Sequence, residues 1–245
     1  MIEIDKILEK QRAWQEAASD DEAEMSAMAV ESLSKCAEAI TILSRNLRNI
    51  GYVWVSSEPI SANELQSNIQ MIDAKTSLVV PKILVMFWKI IGGISFVDLE
   101  DYRHIGFWRK HKITAPQGFA DGLHIYACNR EWASYICDEY EDRQDDDERD
   151  EAEQFLLELS PDGYHKDDIS GGEPYGVFAE SAWRPIWQYF EWSGAVKPVT
   201  ALADPPDFLS YLRTTVLECA GFPGLLGIPA FESFKTKLLE DMPLF

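Results

Sequence analysis

The sequence predicts an α+β fold: a single central, mostly antiparallel sheet flanked by helices, with an N-terminal helical extension. Three observations lead to this prediction. The first fifty residues lack proline and glycine and are rich in alanine, glutamate and lysine, which favours helices. The middle of the chain contains short apolar runs separated by glycine, proline and asparagine, as in strands joined by turns. Helical spacing returns near the C-terminus, so helices and strands are segregated along the chain rather than alternating.

The N-terminal region is predicted to contain two helices. Ser19, Asp20 and Asp21 mark the break between them, and Gly51 is a natural C-cap for the second. We therefore predict a helical extension over residues 1–52 and an α+β domain over 53–245. The second helix carries apolar residues at alternating steps of three and four, which places them on one face: Leu33, Cys36, Ile40, Leu43, Leu47 and Ile50. This 33–50 seam either packs on its own domain or pairs with a second chain as a short coiled coil.

Two helices and a strand follow. Ser61 and Glu64 have the capping-box spacing, which predicts a helix over 63–75. Pro81 suits the first turn of a further helix, which we expect Gly92 and Gly93 to end. Apolar residues at helical spacing lie between them, and a strand around Phe96 comes next.

The later elements are predicted from apolar runs and from the glycine, proline and asparagine residues that separate them. The runs IGFW (105–108) and GLHIYAC (122–128) are predicted strands, as are FLLEL (155–159) and YGVF (175–178). Residues 180–192 are predicted to form a packed helix or turn. Two closing helices are expected over 208–219 and 231–239.

The segment from Pro81 through the glycine pair resembles the hallmark of the SUKH superfamily, the domain shared by the SMI/KNR cell-wall regulators and many bacterial immunity proteins. The resemblance covers about residues 55–220. The chain departs from a typical member in its long helical N-terminus and in an acidic insertion near 138–153. The resemblance implies one central sheet and a non-enzymatic binding role, often the neutralisation of a toxin made by a competing or sibling cell.

The charge of the chain indicates the kind of partner. A net charge of −20 repels phosphate backbones and anionic lipids, and would attract a basic protein. Residues 138–153 hold eleven acids and two arginines, a net −9 that is nearly half of the total. The run is either a solvated loop or a surface that steers a basic partner. For steering we select Asp145, Asp146, Asp147 and Glu148.

Aromatic residues are densest between Trp183 and Trp192. Such a patch belongs either to the core or to an exposed contact for a protein partner, because tryptophan and tyrosine dominate such contacts. Trp187 is our choice as the anchor of a partner contact.

Two further groups of residues have the types that catalysis or metal binding requires. His165 lies beside Asp167 and Asp168, a combination that would suit a hydrolase, although exposed loops often carry such clusters. His124, Cys128 and Cys137 lack a fourth ligand and the usual spacing of a zinc site, so we expect them to be structural. We expect neither a metal nor another cofactor.

The remaining expectations concern the compartment and the assembly. Four cysteines without a CxxC pair are typical of free thiols in a reducing compartment: Cys36, Cys128, Cys137 and Cys219. The apolar stretch 79–91 contains Lys82 and Lys89 and is too short to span a bilayer. We therefore predict a cytoplasmic monomer or homodimer that neutralises a basic toxin, such as a nuclease, by occluding it. The alternatives are a scaffold that oligomerises through the 33–50 seam and a hydrolase that uses His165.

Overall fold

The computed structural model describes residues 4–18, 20–54, 59–97, 103–114, 122–145, 154–160, 175–178, 181–188, 197–201 and 206–245. The α-helices within these ranges are α1 Ile4–Glu16, α2 Glu22–Asn49, α3 Ala62–Lys75, α4 Lys82–Ile90, α5 Arg103–Lys110, α6 Arg130–Asp145, α7 Phe208–Arg213 and α8 Pro229–Leu238. The strands are β1 Ile94–Ser95, β2 His124–Ile125, β3 Leu156–Ser160, β4 Tyr175–Phe178 and β5 Trp187–Gln188. The predicted α+β class is confirmed.

The strands form two small antiparallel sheets in the described part of the chain, and not the single central sheet that we predicted. β1 pairs with β2, while β3, β4 and β5 lie side by side in that order. One backbone hydrogen bond joins the two groups: the amide of Tyr126, just after β2, donates to the carbonyl of Leu159 in β3 at 2.8 Å. β2 has only two paired residues, both with β1, so β2 and β3 do not form the continuous pairing that would join the two sheets.

The N-terminal helices form as the sequence predicts. Asp21 caps α2, and its carboxylate accepts from the amides of Ala23 and Glu24 at 3.1 and 3.0 Å. Four residues of the seam are buried, and Ile40 and Ile50 pack partly buried against the same core. The buried four are Leu33, Cys36, Leu43 and Leu47.

The seam faces the chain's own core rather than solvent. α2 packs on α4 and α8, and buried apolar residues form one cluster from Ile7 in α1 to Phe245. A coiled coil through the 33–50 seam would have to expose this face, so the structure contradicts the predicted route to a scaffold. The helices of the predicted extension therefore contribute to the same core as the rest of the chain.

The helix that carries the SUKH resemblance is also present, and it ends at the predicted glycine. Ser61 caps α3 by accepting from the amide of Glu64 at 3.2 Å. Pro81 occupies the N-cap of α4 rather than its first turn, and Gly92 ends the helix with a φ of +88°. A Cβ on Gly93 would lie 2.9 Å from the amide nitrogen of Ala127. The second glycine is thus required for the close approach of the backbone after β2.

The predicted strand at IGFW is wrong, because these residues lie in α5. The helix directs Trp108 into a pocket of rings, with Phe222 and Tyr52 at centroid distances of 4.9 and 5.3 Å, while Arg109 and Lys110 remain exposed. A four-residue apolar run fits either a strand or a helix, and the ring packing decides the outcome here. Residues 182–183 form a bend, in keeping with the predicted turn, but Trp187 and Gln188 form β5.

Buried polar groups join the C-terminal part to α1 and to the segment before α7. Asp207 caps α7 and also accepts from the indole of Trp14 at 3.2 Å. α7 continues as a π-helical turn, Thr214–Glu218, whose Glu218 carboxylate accepts from the amides of Val199 and Thr200, each at 2.7 Å. These contacts unite segments that are distant in sequence. No helix in the described ranges has the length and apolar character needed to cross a membrane.

Candidate protein-binding surface

α6 carries the largest net negative charge among the helices that the structure describes. Asn129 begins the helix, and its side chain accepts from the amide of Trp132 at 2.9 Å. The inward face of α6 packs on α3 and places Trp132, Ala133, Ile136 and Cys137 in the core. The opposite face therefore points to solvent.

Trp132 holds this helix in place. Its indole N–H donates to the backbone carbonyl of Glu158 in β3 at 2.7 Å, and its ring lies 5.1 Å from that of Trp88 in α4. The tryptophan thus links α6 both to a strand and to a neighbouring helix. Such double anchoring fixes the orientation of the exposed face.

Four exposed carboxylates define the outward side of the helix. Glu131, Asp138 and Asp142 follow at steps of seven and four, which places them in one row, and Glu141 lies beside them. We call these four residues the α6 acidic face. α6 as a whole contains six acids and two arginines, a net charge of −4. Among the described residues, no member of the face forms an ion pair.

Tyr135 lies within the α6 acidic face and is 39% exposed. Its hydroxyl donates to the Glu158 carboxylate, which extends the acidic surface onto β3. Burial raises the pKa of Tyr135, and this hydrogen bond raises it further. Burial, followed by the charges of Glu158 and Glu131, raises the pKa of Tyr126 to about 12. Both phenols are therefore neutral at physiological pH.

The C-terminal half of α6 is held by aromatic contacts. Arg143 donates to the carbonyl of Gln154 at 3.3 Å, and its guanidinium lies 5.6 Å from the ring centre of Phe155. Tyr140 packs on the same ring at 5.5 Å and shares a hydrogen bond with Ser77 at the end of α3. Arg143 is thus engaged with the chain itself.

The residues that we selected for steering are placed only in part. Asp145 is the last residue of α6, at the end of the helix that carries the α6 acidic face. Asp146, Asp147 and Glu148 lie outside the described residues, as do His165, Asp167 and Asp168 of the hydrolase hypothesis. The steering and hydrolase hypotheses stay predictions.

Trp187 does not lie on a surface, and this corrects its selection as an anchor. Its side chain is 0% exposed and stacks on Tyr211 with ring centroids 4.0 Å apart and a 12° angle between the planes. The main chain pairs with β4 in β5. A tryptophan in this position packs the core and contacts no partner unless the fold opens.

The residues considered for zinc do not form a metal site. In the described part of the chain, no three His, Cys, Asp or Glu side chains are grouped so that they could hold a metal ion. His124 is buried with Nδ1 3.2 Å from the Ser95 hydroxyl, and burial lowers its pKa to about 4. Burial raises the pKa of Cys128 to about 12. Cys137 is also buried. Each group therefore carries no charge at neutral pH.

A groove between α2 and α4 is a weaker candidate for a basic partner. It has a volume of about 530 Å³ and an apolar lining that includes Val30, Val85 and Met86. At its rim, Lys82 donates to both carboxylate oxygens of Glu22 at 2.6 Å. Lys89 adds a further cation to the lining. A groove with this charge does not complement a basic protein.

Sequence reasoning missed Glu131, Tyr135 and Glu158. The spacing of Glu131, Asp138 and Asp142 predicts one solvent-exposed face of a helix. The density of acids is highest further along the chain, and it favours residues 145–148 instead. The proximity of Glu158 to Tyr135 depends on packing between a helix and a strand, and no local pattern signals it.

No family model, no curated protein and no solved structure matches this chain. The resemblance to the SUKH superfamily is therefore an interpretation of residues 81–96 and their surroundings.

Proposed function

We propose that this chain is a non-enzymatic protein-binding domain that takes a basic protein on the α6 acidic face. We further propose that the partner is a toxin, such as a nuclease, which the chain neutralises by covering it. The observation that carries the proposal is a row of exposed carboxylates, unpaired among the described residues, on a helix anchored on its opposite side.

Electrostatics supports a role in association. Charges beyond about 8 Å of solvent are largely screened at physiological salt, so a partner senses mainly the local surface. Acids in one row give that surface a net negative charge, which raises the association rate with a cation-rich partner. The overall charge of −20 has the same sign and adds to the attraction at low salt.

Tyr135 supplies the contact that charges alone do not provide. Exposed carboxylates are strongly hydrated and contribute little net affinity, whereas a tyrosine contributes apolar area and a hydrogen-bonding hydroxyl. Its bond to Glu158 fixes the ring among the acids. A tyrosine held in this way loses little further freedom when a partner binds.

The toxin assignment follows from the SUKH resemblance, which implies an immunity role. An acidic surface of this kind would complement the cationic active-site region of a nuclease. Neutralisation by occlusion requires tight coverage of that region and no chemistry by this chain.

Affinity capture from the native host at low and high salt tests the proposal with three baits. The first is the wild-type chain, and the second carries Glu131→Lys, Asp138→Lys and Asp142→Lys. The third makes the same charge change at exposed positions on other helices, with Glu9→Lys, Glu24→Lys and Glu38→Lys.

We expect the wild-type and control baits to retain one basic protein that high salt weakens. We expect the α6 variant to lose it. Expression of that protein alone should harm cells, and co-expression of the wild-type chain should relieve the harm. Equal retention by all three baits, or no harm to relieve, would contradict the proposal.

A further inference from the structure

A second charged surface lies at the end of α5 and has the opposite sign. Arg109, Lys110 and Lys112 are exposed, and His111 is half-buried among them. We call these four residues the α5 basic surface. In the described part of the chain, none of the three exposed cations forms an ion pair.

Three segments near this surface lack acids, although Asp101, Glu232 and Glu240 border two of them. Residues 45–54, 103–114 and 233–238 contain no aspartate or glutamate, although the chain has 42 acids against 22 lysines and arginines. The three segments meet through ring contacts: Phe107 of α5 lies 5.3 Å from Tyr52 and 6.3 Å from Phe234 of α8. The basic region is therefore assembled by the fold rather than by one run of sequence.

Half-buried rings lie beside the cations. His111 packs on Phe107 at 4.6 Å and on Phe234 at 5.0 Å, and the guanidinium of Arg48 lies 4.9 Å from the ring centre of Trp54. Phe107, Phe234 and Trp54 keep part of their surface exposed. Mixed apolar and cationic character of this kind is typical of surfaces that bind a partner.

Lys112 occupies a backbone position that favours glycine. Its φ is +60°, and its amide donates to Arg109 while the next amide, of Ile113, donates to Trp108, both at 3.0 Å. This is a Schellman ending, in which glycine at the left-handed position avoids the steric clash of a side chain. A lysine is thus present where local stability favours glycine.

The α5 basic surface and the α6 acidic face lie on the two flanks of the β1–β2–β3 strands. On one flank, Tyr52 packs edge-to-face on Phe107 and donates its hydroxyl to the carbonyl of Phe96, which follows β1. On the other, Trp132 of α6 donates to β3. Each surface carries an aromatic contact beside charges of one sign.

We infer that the α5 basic surface binds the α6 acidic face of a second copy of this chain, and that this contact covers the acidic face until a basic partner displaces it. The inference rests on the acidic face of the proposed function. It adds regulation, because the second copy and the basic partner compete for the same carboxylates. The second copy is the occupant favoured here because the complementary surface is present in the chain itself.

The salt dependence of this contact is distinctive. At about 0.01 M salt the screening length is about 30 Å, so two chains of net charge −20 repel one another as whole bodies. Near physiological salt, only the opposed local charges act. At about 1 M salt even these are screened, so self-association should be strongest at intermediate salt.

Sedimentation velocity tests the inference with purified chains and no other partner. One variant reverses the basic surface with Arg109→Glu, Lys110→Glu and Lys112→Glu. The other reverses the acidic face with Glu131→Lys, Asp138→Lys and Asp142→Lys. A control carries Lys6→Glu, Arg12→Glu and Lys89→Glu, which are exposed positions on α1 and α4, outside both surfaces.

We expect the wild-type and control chains to self-associate at intermediate salt and each reversed variant to be monomeric. An equimolar mixture of the two reversed variants should associate again, because each then offers the charge that the other needs. The single change Lys112→Gly should raise the thermal midpoint and weaken self-association several-fold, which separates binding from folding.

A wild-type chain that is monomeric at every salt concentration would overturn the inference. Self-association that survives either reversal would overturn it as well. Neither result touches the capture of a basic protein, so the inference and the proposed function fail separately.

Discussion

The α6 acidic face and the α5 basic surface are both presented by helices anchored through a buried tryptophan, but the two tryptophans are held differently. Trp132 donates its indole N–H to Glu158 at 2.7 Å. Trp108 is enclosed by rings, and its indole N–H has no partner among the described residues. One surface is thus oriented by a directional bond and the other by shape alone. A charged surface can therefore be held in place by a tryptophan with a hydrogen bond or by one that is held through ring packing.

The largest effect that we expect is a pH-dependent loss of stability, and it comes from a histidine in the strands between the two surfaces. Burial lowers the pKa of His124 in β2 from 6.5 to about 4. As pH falls, His124 therefore takes up a proton in the unfolded chain before it does so in the folded chain. Its contribution to stability is complete above about pH 6.5 and decreases until about pH 4. This shift corresponds to a loss of about 3 kcal/mol.

Urea unfolding at about pH 7 and about pH 4 measures this loss. His124→Gln should reduce the difference between the two pH values, since glutamine does not titrate. The comparison with the variant removes the contribution of the surface carboxylates. An equally steep pH dependence in the variant would show that His124 is not the cause.

The two anchors give the next effect. Trp132→Phe leaves the Glu158 carbonyl without its indole donor, whereas Trp108→Phe removes a donor that is already unpaired. Both substitutions remove similar ring volume. We expect Trp132→Phe to lower the free energy of unfolding by about 1 kcal/mol more than Trp108→Phe, measured by urea unfolding. Equal losses would mean that packing alone holds both helices.

The smallest effect comes from the surface charges themselves. Asp142 lies in the last turn of α6, where a negative charge opposes the helix dipole, and Lys110 lies in the last turn of α5, where a positive charge complements it. Asp142→Asn should stabilise by about 0.3 kcal/mol and Lys110→Gln should destabilise by about the same amount. Thermal unfolding at low salt measures both, and high salt should abolish both. Shifts of the same sign would contradict the dipole argument.

Local patterns predicted the helices well. The break before α2, the Ser61 cap of α3 and the end of α4 at Gly92 are each set by side chains or backbone geometry within a few residues. The failures share one cause. Four residues do not define a period, so IGFW fits a strand as well as the helix that forms. Composition does not report burial, so it does not distinguish an exposed anchor from the buried Trp187.

The candidate surface was predictable in its sign and in part of its members, since Asp138, Glu141 and Asp142 belong to the acidic run and Glu131 does not. The acidic run between 138 and 153 pointed to α6, but Glu131, Tyr135 and Glu158 come together only when the helix packs on β3. The α5 basic surface was not foreseen, because its charges stand out only against the acid-free segments that the fold gathers around Phe107.

The sequence by itself determined the α+β class, the capped helices, the overall acidity and the buried thiols, because each depends on composition or on neighbours along the chain. The tertiary structure decided which apolar stripe is covered, which tryptophans are inaccessible and where opposite charges are separated. Those outcomes depend on contacts between residues as distant as Trp14 and Asp207. Such contacts form only when the core closes, and no local pattern encodes them.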